Sequence, residues 1–113
     1  MIKTADTIFT EILVNSGATW GTSQVPNFGY MVSIRDYEYV TNVHDFGPNV
    51  IDAYEQCTPL QDGTYYGAWI DGDNAYLDLS IWTATEEEAH MIADLEDQKA
   101  IFNLYTNETE DLR

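Results

Sequence analysis

The sequence predicts an α+β domain: a mostly antiparallel sheet of roughly 4–6 strands with about three short helices covering one face. Three observations lead there. Apolar residues recur at helical spacing in separated windows, and the windows between them are rich in β-branched and aromatic residues. Two β-rich runs flank Asp71-Gly72-Asp73-Asn74, a strong hairpin signal. Thr85-Glu86-Glu87-Glu88 forms a capping box in front of a further amphipathic stretch. With 113 residues the chain is long enough for a single core and is read as one domain over residues 1–113.

In chain order, Asp6 to Val14 carries Ile8, Phe9, Ile12 and Leu13 at helical spacing, with Gly17 as the stop. The segment GATWGTSQVPNF reads as a loop with a short strand around Thr19-Trp20, and Gly29 to Ile34 as a strand. Tyr37 to Val43 alternates as a second strand that can pair with the one before it. Gly47-Pro48 opens another helix, with Val50, Ile51 and Tyr54 on one side, because proline suits a first helical turn. Tyr65–Ile70 and Ala75–Trp82 form the hairpin. The capped helix that follows presents Ala89, Ile92, Ala93 and Leu95 inward, a last strand runs from Ala100 to Tyr105, and the tail 108–113 is expected to fray.

Composition narrows function by exclusion. Hydrophobic residues at 44% argue against disorder. The N-terminal stretch carries Asp6 and Glu11 where a signal peptide would be apolar, and no run reaches the ~18 apolar residues of a membrane span. A cytoplasmic location is therefore expected, and the lone Cys57 fits a reducing interior. Twenty Asp and Glu against four Lys and Arg give a formal charge of −16. That charge opposes direct binding to nucleic acid or an anionic membrane and favours a cationic partner.

Catalytic and metal motifs find little support. Asp71 and Asp73 match positions 1 and 3 of a calcium loop, but Ala75, Tyr76 and Trp82 stand where oxygen ligands, glycine and glutamate are required. Glu87-Glu88-Ala89-His90 holds one Glu-x-x-His, whereas a di-iron site needs two, and His44 has Thr41 in the corresponding place. Cys57 has no basic sequence neighbour to activate it, so an inert, buried thiol is the expectation; a dyad with His44 needs proximity that spacing does not establish. Twenty acids guarantee close carboxylate pairs by chance. No metal, no cofactor and no enzymatic activity are expected.

What remains is the placement of the acids. Glu86, Glu87 and Glu88 sit where the helix dipole favours them, but Asp94, Glu96 and Asp97 sit near its disfavoured C-terminal end, and the spacing of Glu87, His90, Asp94 and Asp97 puts them on one face. Neighbours there lie about 5–6 Å apart, comparable to successive backbone phosphates. Asp71 and Asp73 at the hairpin tip, and Asp78, alternating with Leu77 and Leu79, are expected to extend this negative surface. The expected partner is a basic nucleic-acid-binding protein or complex of the host, with a homodimer also conceivable. An alternative is a small binding module whose aromatic sheet residues recognise a peptide or small ligand, the acids serving solubility; a halophilic surface is a further competing account of the charge.

In size, lone cysteine and excess of acids the chain resembles the small acidic inhibitors of bacteriophages and mobile elements, of anti-CRISPR or anti-restriction type. The segment from Gly67 to Tyr105, with YLDLSIW, EEEAHMIADLEDQ and KAIFNLYTNE, also resembles the C-terminal part of uncharacterised phage proteins. The placement of the acids points to a nucleic-acid mimic, and the first resemblance implies a cytoplasmic protein that binds a host defence enzyme and has no activity of its own.

Overall fold

A computed structural model describes residues 3–112; Met1, Ile2 and Arg113, the last residue of the expected fraying tail, lie outside the described residues. The elements are α1 (Ala5–Asn15), β1 (Gly17–Trp20), β2 (Tyr30–Ser33), a 3₁₀ turn (Arg35–Tyr37), β3 (Tyr39–Asn42), α2 (Pro48–Cys57), β4 (Thr64–Asp71), β5 (Asn74–Thr83), α3 (Glu86–Leu95), β6 (Ala100–Asn103) and β7 (Glu108–Asp111). The fold is α+β, with seven strands among the described residues, more than expected, in one sheet of order β1-β4-β5-β2-β6-β7 and with β3 also on β5. Every pairing is antiparallel.

Local chemistry sets the helix ends. The Thr4 side chain accepts from the Thr7 amide at the start of α1, and Ser16 closes that helix in the left-handed conformation, so that Gly17 begins β1 instead of ending α1. Proline occupies the first turn of α2. At its other end the Tyr66 hydroxyl donates to the Thr58 carbonyl, supplying a partner where the helix has no glycine cap. Thr85 caps α3, its hydroxyl oxygen 3.2 Å from the Glu88 amide and 3.0 Å from Glu88 Oε1. The box therefore closes hydroxyl to carboxylate.

Paired residues share a sheet face and alternate along each strand, so the register sorts the molecule into layers. Ala68, Leu77, Leu79 and Tyr66 face Ile8 and Ile12 of α1 and Ile51 and Tyr54 of α2, in one buried cluster. Val32 pairs with Ile81 on the same face, and with Tyr30 and Ile101 it packs against Ala89 and Ala93 of α3. All three helices thus cover one face. Leu95, expected inside, is instead 72% exposed, because α3 ends there and its buried stripe is carried by Ala89 and Ala93.

Two strands depart from expectation. β3 pairs with β5, not with β2: the 3₁₀ turn offsets the chain, so that β2 and β3 lie end to end along one side of β5, with Ser33 opposite Ser80 and Tyr39 opposite Leu77. The tail does not fray over Glu108–Asp111 but forms β7 on β6. Asn103 builds the connecting loop by accepting from the amides of Tyr105 and Thr106, Asn107 supplies a left-handed residue (φ 58°), and the Leu112 amide donates to Lys99 at 2.7 Å.

Candidate functional site

The β4–β5 turn contains Gly72 (φ 60°) and Asp73, flanked by the Asp71↔Asn74 pair; glycine at the first central position supplies the backbone twist a two-residue hairpin needs. Asp71 and Asp73 are exposed at this tip. Nine residues of β5 separate it from Thr83, about 30 Å of strand. The tip and the start of α3 therefore occupy opposite ends of β5.

On α3, Glu86, Glu87, Glu88 and Asp94 are exposed; His90 lies 3.4 Å from Glu86, both half in solvent. The expected face holds from Glu87 through His90 to Asp94. Asp97 lies beyond the last helical residue in the left-handed conformation (φ 54°), exposed but off the helical spacing. Glu96 is tied into the fold: its Oε1 accepts from the Arg35 amide at 2.8 Å, satisfying the start of the 3₁₀ turn. An acid unfavourable to its own helix is thus used to cap another element.

A further set of acids joins α3 from β7. Burial raises the Tyr30 phenol, with Glu86 and then Glu110 adding to it, so the start of α3 and the β6–β7 hairpin direct negative charge at one place. Glu110 accepts from the Asn103 amide group, while Glu108 and Asp111 are exposed.

Asp78 overturns one expectation. Alternation does place it opposite Leu77 and Leu79, on the face without helices among the described residues, but it is only 4% exposed and cannot extend a solvated acidic row. It pairs with Gly67, and a Cβ at Gly67 would stand 2.4 Å from Asp78 Oδ1. The carboxylate therefore lies over the glycine, in space any other residue would fill. Its Oδ2 accepts from the Ser33 hydroxyl at 2.6 Å. Burial lifts its pKa above 3.8; the Ser33 bond opposes that and nearby Glu38 adds to it.

Aromatics flank this carboxylate. Two residues along each strand, Trp69 and Tyr76 pair on the same face and stack with ring centres 5.1 Å apart and planes 5° from parallel. In the other direction Trp82 meets the edge of Phe28 at 5.2 Å, and its indole donates to the Phe28 carbonyl at 2.8 Å. The sequence held a signal for this arrangement: an isolated glycine inside a strand marks a bulge or a close approach, and Gly67 interrupts an otherwise bulky Tyr-Tyr-Gly-Ala-Trp-Ile.

The catalytic alternatives gain no geometry. Cys57, expected to be buried, is exposed at the end of α2. It lines a shallow depression of about 250 Å³ with Thr58, Gln61 and Thr64, and one of about 350 Å³ is lined by Asp52, Glu55 and Tyr66; neither lining contains His44 or His90. Among the described residues no group of three or more His, Cys, Asp or Glu is placed to hold a metal ion, and no helix is long and apolar enough to cross a membrane. No protein-family model matches the chain, and neither a curated protein nor a solved structure is significantly similar to it.

Proposed function

We propose that this protein is a non-catalytic inhibitor that occupies the Lys- and Arg-lined nucleic-acid site of a host defence enzyme. The observation that carries the reading is the outward acid of α3 and the β6–β7 hairpin, Glu87 and Asp94 foremost, in a chain of formal charge −16. Few cations offset it: among the described residues the ion pairs are Lys3–Glu11, Arg35–Asp36 and His90–Glu86. Asp71 and Asp73 are exposed at the far end of β5 and add to the total negative charge, Asp97 is exposed beyond the end of α3, and Asp78 and Glu96 are drawn into the fold. Glu87 and Asp94 stand about two turns, roughly 10 Å, apart on α3, on the scale of a few successive phosphates of a nucleic-acid strand, so a basic groove that binds such a backbone can accept them.

The test begins with affinity capture from bacterial lysate, followed by titration of the captured protein. Affinity is expected to fall at least tenfold on the order of a 50 to 200 mM rise in salt, and duplex DNA or guide RNA should displace the complex. Salt-insensitive binding, or a complex that nucleic acid leaves intact, would sink the proposal.

A second reading, a binding module that recognises a peptide or small ligand through its aromatic sheet face, is favoured by the helix-free face itself, with its Trp69–Tyr76 stack and its Phe28–Trp82 pair. Loss of binding on replacement of Trp69 or Tyr76, with charge reversal at Glu87 and Asp94 silent, would select this reading over the first.

A further inference from the structure

We infer that the Asp78–Gly67 position is a recognition site for an arginine side chain of the protein partner. The inference rests on the proposed basic partner for the source of that cation, but its location is argued from a different surface than the acids of α3. Four observations meet there. First, Asp78 is almost fully buried, yet among the described residues the Ser33 hydroxyl is its one hydrogen-bond donor, bound at Oδ2. An ionised carboxylate has about four acceptor positions, and a buried one is stabilised by filling them. Second, no fully enclosed side-chain oxygen or nitrogen lacks a partner among the described residues, so Asp78 Oδ1, which lies over Gly67 and has no donor of its own, is not wholly shut off from solvent.

Third, the Trp69–Tyr76 stack stands one pleat along the same face from Gly67 and Asp78, about 7 Å away. A planar guanidinium can lie against such a ring while donating to the carboxylate beside it, and it is more weakly hydrated than an ammonium. Fourth, Glu38 lies close enough to Asp78 to influence its titration, adding a second negative group for the outer edge of a cation. Charge also selects the occupant: at −16 per chain, a second copy placed against this face would meet strong repulsion, whereas a basic partner is attracted.

The test uses the intact protein and three end-capped tripeptides, Gly-Arg-Gly, Gly-Lys-Gly and the neutral isostere Gly-citrulline-Gly, followed by amide and indole NMR shifts. Saturable shifts at Gly67, Asp78 and the Trp69 indole are expected with the arginine peptide, at least threefold weaker binding with lysine and none with citrulline. Asp78→Asn should weaken arginine binding at least fivefold while leaving the protein folded, as judged by its unperturbed spectrum elsewhere. Asp94→Lys should leave it within twofold. Equal binding of citrulline, absence of saturable shifts, or shifts confined to α3 and removed by Asp94→Lys but not by Asp78→Asn would overturn the site. The last result leaves the acidic-surface reading standing, whereas arginine binding at Asp78 without salt-dependent capture of a basic protein would support the site and reject that reading.

Discussion

Burial lifts the Asp78 carboxyl above its ordinary pKa of 3.8, the Ser33 hydrogen bond pulls it back, and Glu38 adds to the lift. A carboxyl raised on folding holds its proton more tightly in the native state than in the unfolded chain. Stability therefore falls as pH climbs from the ordinary value through the raised one, and acidification restores it. Asp78→Asn removes the charge and keeps the shape, so its Tm should exceed that of the parent at pH 7, by roughly 5 °C for each 1 kcal/mol released, with the gain shrinking toward pH 4. Thermal melts at the two pH values check this; a gain that does not depend on pH would exclude the charge as its cause. Gly67 tests the same contact from the other side. Its backbone is not in the left-handed region, so space alone forbids a side chain. Gly67→Ala should destabilise by about 1–3 kcal/mol through overpacking, and far less in an Asp78→Ala background. Denaturant titration of the four chains gives that coupling, expected near 1 kcal/mol or above.

Among the elements, α3 shows how one helix serves two ends. Thr85→Ala removes the hydroxyl that meets the Glu88 amide and carboxylate, and should destabilise by about 1 kcal/mol, read from the denaturant midpoint. Asp94→Lys should do the reverse, adding roughly 0.3–1 kcal/mol by placing a cation near the helix C-terminus, while weakening partner capture if the acidic face is the binding surface. The contrast explains what could be read in advance. The Thr85 cap, Pro48 at the start of α2 and the Asp71–Asn74 hairpin were legible because a few adjacent residues decide them. The partner of β3 was not, since it depends on an offset introduced by the Arg35–Tyr37 turn relative to a strand some forty positions away. Nor was β7, whose polar sequence Glu-Thr-Glu-Asp has no strand pattern and is held by Asn103 and the Leu112–Lys99 bond. Alternation put Asp78 on the correct face, but its burial depends on what Ser33, Gly67 and their neighbours leave open. Glu96 looked like a surplus charge because its acceptor role is to Arg35, far away in sequence.

For the molecule as a whole, the acids and the core pull against each other. The radius of gyration is 13.4 Å, against roughly 13 Å for an ordinary domain of this length. The chain reaches normal compactness while carrying −16. Its mutual repulsion acts over distances that salt shortens, from about 10 Å at 0.1 M to about 3 Å at 1 M. Adding sodium chloride from low salt to about 0.5 M should therefore raise Tm by several degrees, even as it loosens any complex with a basic partner. Differential scanning calorimetry in parallel with the binding titration would separate the two; a flat Tm would mean that the acids lie too far apart to interact.

The sheet order has a consequence for how the chain acquires its structure. β1 pairs only with β4, β2 with β5 and β6, and β3 only with β5. Among the described residues, no strand of the N-terminal half pairs with another from that half. During synthesis at about 5–20 residues per second, those strands emerge with no strand to pair with for several seconds. The β4–β5 hairpin, made last among the central elements, is then the template on which the earlier strands assemble, so the sheet does not grow strand by strand in chain order.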